Sequence, residues 1–182
     1  MSDPPAHEHA RGDPSAPVTV LEFGDYECPY CAAAEPVLRA LVAESDGRIR
    51  LVFRNFPLAD LHPYALTAAL AAEASAPFGV FWEMHDLLFE NQHRLTDADL
   101  SAYADSLGVD GARVVGDAAQ PCGDVVEGDF AAGVEMGVRG TPWLFVDGVH
   151  YEGRMDLAAL RRAAGASTGP GGFVPGTRRQ AR

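Results

Sequence analysis

Lysine is absent from this chain of 182 residues: its fourteen basic residues are all arginine, whereas 26 residues are acidic, and the formal net charge is −12. A strongly acidic surface repels phosphate groups, so this balance argues against nucleic acid and anionic membranes as partners. The chain also lacks any run of about eighteen apolar residues, the length that a membrane-spanning helix requires. We therefore expect a globular protein with no membrane-embedded segment.

The first ten residues, MSDPPAHEHA, lack both the basic start and the apolar stretch of a secretory signal. From the sequence as it stands we expect a cytoplasmic protein, or an exported one if the true start lies upstream. Thiols in the cytosol are mostly reduced. Two closely spaced cysteines in that compartment are therefore more often catalytic or metal-binding than a structural bridge.

Cysteine is scarce, and its three copies are Cys28, Cys31 and Cys122. A zinc site built on the first two would need two more ligands, but the chain has neither a second Cys-x-x-Cys nor a paired histidine motif, so we expect no metal site. A permanent disulfide between Cys28 and Cys31 stays open, although so short a loop constrains the unfolded chain little. Cys122 is interpreted as either a third redox thiol or a half-buried loop residue.

The segment Cys28-Pro29-Tyr30-Cys31 lies between an apolar run at 18–23 and a helical run at 32–42. This order places the first thiol at the amino end of a helix, where free backbone N–H groups and the helix dipole favour a thiolate. The second thiol lies one turn further along, close enough to form a disulfide. The pair is therefore a candidate dithiol/disulfide switch that exchanges an electron pair with other disulfides.

The pattern of apolar residues predicts an α/β protein. A buried strand at 17–23 is followed by a helix from Pro29 that Pro36 kinks, and then by an alternating strand at 48–56 with one polar face, an order that predicts a right-handed parallel crossover. The middle of the chain is helical. Asp147-Gly148 indicates a hairpin between strands at 143–146 and 149–151, before a last helix at 157–164. We expect one domain at 16–164 and disordered tails at 1–15 and 165–182.

This order of elements, with Cys-Pro-Tyr-Cys at the first strand–helix junction, resembles the thioredoxin fold. The helical block resembles the insertion of DsbA-like thiol:disulfide oxidoreductases. Three further features match that family: Glu22 six residues before Cys28, Pro36 within the first helix, and Gly140-Thr141-Pro142 directly before a strand. The resemblance implies a βαβ…ββα thioredoxin fold with a mixed central sheet and an all-helical insertion at about 58–137.

The resemblance implies a role for each cysteine. Cys28 would be the exposed attacking thiol, and the more buried Cys31 would resolve the mixed disulfide. Glu22, as a buried carboxylate below the pair, would have a raised pKa and would relay a proton to or from Cys31. The alternative for Glu22 is a surface carboxylate, which strand alternation alone does not exclude.

The resemblance also implies a substrate-binding edge around the dithiol. Pro142 would be a cis-proline facing Cys28, and the backbone around Thr141 would pair with an extended substrate segment. Pro29 and Tyr30, between the two cysteines, would complete the contact surface. The alternative for Pro142 is an ordinary trans proline that opens a strand.

The residues around Cys28 predict its acidity. Many oxidising members of the family carry a histidine where this chain has Tyr30, which brings no positive charge. Glu27 and Asp25 lie close by, and like charges raise the pKa of a thiolate. We therefore expect the Cys28 pKa to lie below that of a free thiol but above that of the strongest oxidants, which is typical of a reductase or a general exchanger.

The leading functional prediction is an enzyme without a cofactor that exchanges disulfides with protein disulfides or dithiols. Glutathione or a thioredoxin-type protein would recycle it. The alternative is a redox-responsive peptide-binding module or chaperone. Glutathione-dependent isomerisation is a third interpretation, but related proteins of that kind tend to lack the second cysteine, which is present here as Cys31.

Overall fold

A computed structural model describes residues 8–167 of the chain, with side chains as far as residue 165. Its centre is a five-stranded mixed sheet in the order β1-β3-β2-β4-β5. β2 and β3 run parallel, and the other neighbouring strands pair antiparallel. This arrangement confirms the predicted thioredoxin-type α/β architecture. The strands are β1 His9–Arg11, β2 Val18–Gly24, β3 Ile49–Asn55, β4 Trp143–Val146 and β5 Val149–His150.

The helices divide between the two halves of the sheet and the insertion. α1 connects β2 to β3, α6 follows the hairpin β4–β5, and the other four α-helices lie between β3 and β4. Within residues 8–167, no helix is both long and apolar enough to cross a membrane. The helices are α1 Pro29–Ala43, α2 Ala65–Ser75, α3 Phe81–Glu90, α4 Asp97–Ser106, α5 Gly123–Glu135 and α6 Leu157–Ser167.

The expectation of a disordered tail at 1–15 needs correction, because β1 lies within it. Its three residues pair with Leu51 to Phe53 of β3 and so form one edge of the sheet. His9 stacks on the ring of Phe81 at 3.4 Å. A strand this short, in a proline-rich and charged segment, shows no alternating apolar pattern. Its pairing partners also lie far along the chain, so the neighbouring sequence does not predict it. At the other end α6 includes residues 165–167, and the rest of the predicted tail lies outside the described residues.

Two of the three apolar clusters in residues 8–167 pack helices against the sheet. One packs α1 and α6 against β2 and contains Val20, Leu38 and Leu160. The other joins the insertion to the sheet and includes both Cys28 and Cys31. The dithiol therefore lies where the core of the thioredoxin half meets the core of the insertion.

Candidate functional site

Cys28 is the residue that caps the amino end of α1. Its φ and ψ of −74° and 120° are extended, and Pro29 occupies the first helical position. The carbonyl oxygen of Cys28 accepts hydrogen bonds from the N–H groups of Cys31 and Ala32, at 3.1 and 3.2 Å. Proline suits the first position because its missing N–H would have no partner there. The Cys-Pro-Tyr-Cys sequence thus places the first sulfur at the positive end of the helix dipole.

The Cys28 thiol is strongly acidic. A hydrogen bond from the Cys31 side chain, supported by one with Thr141 and by the backbone N–H groups of Cys31 and Tyr30, lowers the pKa of Cys28 to about 5, although partial burial opposes the shift. A thiol with this pKa is predominantly thiolate near neutral pH, the form that attacks disulfides. The expectation that the pKa lies below that of a free thiol agrees with this value.

Cys31 has the opposite character. Burial, the Cys28 side chain and the charge of Glu22 raise the pKa of Cys31 well above its ordinary value. Its side chain is fully buried, and both cysteines of the pair are free thiols in the structure. The sulfur of Cys28 is thus ionised near neutral pH, whereas the sulfur of Cys31 keeps its proton.

The expectation that Cys28 is exposed is wrong. Only 3% of Cys28 is accessible, whereas Tyr30 is 73% exposed. Cys28 packs in the core cluster of the insertion, and its thiol donates to the carbonyl oxygen of Thr141 at 3.4 Å. Thr141 lies 113 residues from Cys28, and most of the cluster comes from the insertion, so a motif at the start of a helix gives no sign of this burial.

The Thr141–Pro142 segment lies beside the nucleophile. The peptide bond that joins the two residues is cis. The segment leads directly into β4, whose Trp143 pairs with Phe23 of β2. Because β2 also leads to Cys28, this pairing brings the two loops to the same end of the sheet. Thr141 and Pro142 are both half-buried.

Glu22 is a buried carboxyl group on β2. It is 1% exposed, and neither of its carboxylate oxygens has a hydrogen-bond partner among the described residues. Burial, followed by the charges of Glu35 and Cys28, raises the pKa of Glu22 well above its ordinary value. The interpretation as a surface carboxylate therefore fails, because Glu22 lies on the same face of β2 as the buried Val18 and Val20.

Asp25 does not act as the free negative charge beside Cys28 that the sequence indicates. Its carboxylate accepts hydrogen bonds from the backbone N–H of Glu27 and of Leu58, each at 2.8 Å. His62 Nδ1 lies 2.8 Å from the same carboxylate. Asp25 thus joins the loop before α1 to the segment at 57–64. His62 lies 37 residues away, and its only sequence signal is an ordinary histidine before a proline.

The insertion holds the loop before α1 at two more points. The Gln92 side-chain amide donates to the carbonyl oxygens of Tyr26 and Cys28, at 2.9 and 2.8 Å. The carboxylate of Glu27 accepts from the backbone N–H of Tyr64 at 2.6 Å. The helical block therefore fixes the position of the nucleophile, a role that sequence patterns alone do not reveal.

A buried polar network extends from this loop towards β1. The two ring nitrogens of His85 lie 3.1 Å from the Tyr26 hydroxyl and 3.2 Å from Glu35. Arg11 donates to Glu35 at 3.0 Å and to Asp86 at 2.6 Å. Burial lowers the pKa of His85 despite the neighbouring Glu35, so its ring is neutral at neutral pH.

Glu35, His85 and Asp86 place three potential ligand atoms within 4.8 Å of one another. They do not fit a metal ion, because the guanidinium of Arg11 already bonds to both carboxylates.

Cys122, at the start of α5, is half-buried, and burial raises its pKa. It therefore lacks the activation that Cys28 shows.

A family model described as Thioredoxin matches residues 5–164. The chain belongs to this family. It is 46% identical over 160 residues to the Na⁺/H⁺ antiporter NhaA 1 of Salinispora arenicola, a match that covers 87% of this chain and 24% of that protein. With NhaA 1 of Mycolicibacterium gilvum it shares 38% identity over 168 residues, covering 91% and 27%. The chain thus spans about a quarter of the length of the curated relatives it matches.

Solved structures with the same fold include an oxidoreductase and a thiol-disulfide exchange protein. A thioredoxin-like oxidoreductase from Silicibacter pomeroyi DSS-3 aligns with a TM-score of 0.75 and 27% identity, over 88% of this chain and 91% of its own. Oxidised BdbD from Bacillus subtilis aligns with a TM-score of 0.76 and 24% identity, over 87% and 91%. For the thiol-disulfide exchange protein alpha-DsbA2 from Wolbachia pipientis the TM-score is 0.76 at 23% identity, over 87% and 86%. The predicted resemblance to DsbA-like thioredoxin-fold oxidoreductases is confirmed.

Proposed function

We propose that the chain exchanges disulfides with protein substrates through Cys28 and Cys31. The observation that carries this proposal is the asymmetry of the pair. Cys28 has a pKa lowered to about 5, whereas burial keeps Cys31 protonated. A thiolate next to a protonated thiol is the arrangement that attack and subsequent resolution require.

In the reducing direction, the Cys28 thiolate attacks one sulfur of a substrate disulfide. A Cys28–substrate disulfide forms, the substrate S–S bond breaks, and the second substrate sulfur leaves as a thiolate that takes up a proton. Cys31 then loses its proton and attacks Cys28 Sγ, which releases the first substrate sulfur. Two electrons pass from the dithiol to the substrate, and the Cys28–Cys31 disulfide remains.

The second step requires a base for Cys31, and Glu22 is our candidate. Its charge already raises the pKa of Cys31, so the two groups interact. A buried carboxyl group with a raised pKa accepts a proton more readily than an ordinary surface glutamate does. Reversal of the proton transfer serves the oxidising direction.

The substrate is proposed to lie along the Thr141–Pro142 segment. Thr141 is in contact with Cys28, so a polypeptide whose sulfur reaches Cys28 passes this backbone. An extended segment can pair with it as an added strand. Pro29 and Tyr30, which are both exposed, would contact the substrate on the other side of the nucleophile.

The acidity of Cys28 favours a general exchanger over a strong oxidant. Its pKa of about 5 lies between values of about 7 in thioredoxin and about 3.5 in DsbA. A thiolate of intermediate stability implies an intermediate reduction potential. A pair of this kind can be recycled by glutathione or by a thioredoxin-type protein.

Reduction of insulin disulfides tests this proposal. The wild-type protein and Cys122→Ser should accelerate the reaction, because Cys122 lies outside the pair. Cys28→Ser should reduce the rate to that of the uncatalysed reaction. If Cys28→Ser is as active as the wild type, the proposal is wrong.

A second candidate function is that of a redox-responsive binding module. The similarity of this chain to one segment of each of two antiporters favours it. In that case the domain would bind a membrane transporter in one oxidation state only. The partner in this test is purified Salinispora arenicola NhaA 1 from which the segment similar to this chain has been deleted. The oxidised and the reduced protein would bind this partner with different affinities. Cys28→Ser would bind as the reduced wild type does. Equal affinities for both states would exclude this candidate.

A further inference from the structure

The contact between Asp25 and His62 places an ionisable pair at the loop that carries Cys28. The carboxylate of Asp25 is fully buried, and the His62 side chain is 21% exposed. The carbonyl oxygen of Asp25 accepts from the backbone N–H of Cys28 at 3.1 Å. One residue thus bonds to His62 through its side chain and to the nucleophile through its backbone.

The charged groups that residues 25–28 contribute to this loop are all negative. Asp25, Glu27 and the Cys28 thiolate all lie within four consecutive residues, and Tyr30 adds no charge. Partial burial opposes a positive charge on His62, but the hydrogen bond and charge of Asp25 raise its pKa, and the charges of Cys28 and Glu27 do so as well. The imidazolium therefore persists to a higher pH than that of an ordinary histidine.

We propose that His62 is a positioning residue for thiol exchange: held by Asp25, its imidazolium offsets the negative charge around Cys28 and so favours the thiolate. The inference deepens the proposed function and rests on it. His62 supplies from the insertion the positive charge that Tyr30 does not supply between the cysteines. Asp25 fixes where that charge lies.

This arrangement makes the reduction potential of the Cys28–Cys31 pair depend on the protonation of His62. When His62 loses its proton, the charge of Asp25 is no longer compensated beside Cys28. The thiolate of the reduced protein is then less stable, whereas the disulfide of the oxidised protein carries no charge at Cys28. Deprotonation of His62 therefore shifts the couple towards the disulfide and makes it more reducing.

The test compares His62→Gln, which keeps a hydrogen-bond donor without the charge, with His62→Lys, which keeps a charge. In His62→Gln the Cys28 pKa, read from the ultraviolet absorbance of the thiolate, should rise by about one unit, in the range known for a neighbouring opposite charge. The equilibrium with glutathione should move about tenfold towards the disulfide, or about 30 mV. His62→Lys should stay near the wild type, and so should His93→Gln, which alters an exposed histidine.

Two results would overturn the inference: an unchanged Cys28 pKa in His62→Gln, or an equally raised pKa in His62→Gln and His62→Lys. The second result would show that the contact to Asp25 matters but the charge does not. The thiolate titration needs no substrate. A protein that fails to reduce insulin would therefore contradict the proposed function, while its Cys28 titration would still decide the role of His62.

A reciprocal measurement avoids any change at His62. Coupling between two sites is mutual, so the thiolate must raise the His62 pKa by as much as the imidazolium lowers that of Cys28. Titration of His62 by NMR should give a lower pKa in Cys28→Ser than in the reduced wild type. Equal His62 pKa values in the two proteins would contradict the inference even if His62→Gln did not fold.

Discussion

The thiol of Cys28 donates a hydrogen bond to the carbonyl oxygen of Thr141 at 3.4 Å, although 113 residues separate the two in the chain. The contact exists because β4 pairs with β2 and brings the segment before β4 to the end of β2. Under the proposed function, a substrate sulfur that reaches Cys28 therefore passes the backbone of Thr141. The sheet itself thus holds Cys28 and Thr141 together.

Replacement of the resolving cysteine should trap a substrate. In Cys31→Ser the Cys28 thiolate can still attack a disulfide, but no second thiol releases the product. We expect a stable mixed disulfide through Cys28 with a cystine-containing peptide, detected by mass spectrometry without reductant. Cys122→Ser in the same background should leave the adduct unchanged. An adduct located on Cys122 would contradict the assigned roles.

The three cysteines should react with iodoacetamide in a fixed order. At about pH 6, Cys28 is mostly thiolate, whereas Cys31 and Cys122 keep their protons because burial raises the pKa of each. Cys28 should therefore be modified first, despite its low exposure, because the anion is the reacting form. Peptide mapping after a short exposure measures the order. Modification of Cys31 at the same rate as Cys28 would show that the pair is not asymmetric.

Glu22→Gln should remove a pH-dependent loss of stability. The folded-state pKa of Glu22 is raised above its usual value of 4.5, so the folded protein keeps this proton when the unfolded chain has released it. The stability that this group contributes is fully present below the unfolded pKa and is lost as the pH rises through the folded pKa. A pKa that differs by one between the folded and unfolded chain changes the free energy of unfolding by about 1.4 kcal/mol.

The measurement is the free energy of unfolding in urea across that pH range. The wild type should lose stability as the pH rises, and Glu22→Gln should lose less. Glu135→Gln, at an exposed glutamate, should behave as the wild type does. Above the folded-state pKa, where Glu22 is ionised, resolution of mixed disulfides should also slow in Glu22→Gln, because an amide cannot accept the Cys31 proton. Parallel stability curves for the wild type and Glu22→Gln would contradict the assigned burial.

Replacement by alanine should change the free energy of unfolding in opposite directions at two glycines of α5. A Cβ at Gly133 would lie 2.7 Å from the ring of Phe56 and 3.1 Å from that of Phe23, whereas nothing lies within 4 Å of a Cβ at Gly128. Gly133→Ala should therefore lower the free energy of unfolding by about 1–3 kcal/mol through overpacking. Gly128→Ala should raise it by roughly 0.5–1 kcal/mol, because alanine favours a helix.

Urea denaturation of both variants checks this pair. The opposite signs depend on α5 packing closely against β2 and the end of β3, which positions the insertion over the sheet. Changes of the same sign in both variants would show that α5 does not approach the sheet as described.

Local sequence patterns predicted the position of the cysteine pair. Cys28 and Cys31 are adjacent on one helix turn, so short-range rules were sufficient to place them, whereas only the family resemblance implied that Thr141-Pro142 faces the pair. The burial of Cys28 and the partners of Asp25 and Arg11 were missed. Each depends on a contact from a distant part of the chain: Thr141, His62 and Glu35. Composition and periodicity carry no information about such pairings.

The reduction potential of the Cys28–Cys31 pair tests the central claim most directly. The protein, with Cys122→Ser to remove the third thiol, is equilibrated with mixtures of reduced and oxidised glutathione, and the free thiols are counted. We predict one two-electron transition between about −270 mV and about −120 mV, the values for thioredoxin and DsbA. A protein whose two thiols stay free at every ratio of reduced to oxidised glutathione would contradict the claim that this pair exchanges disulfides.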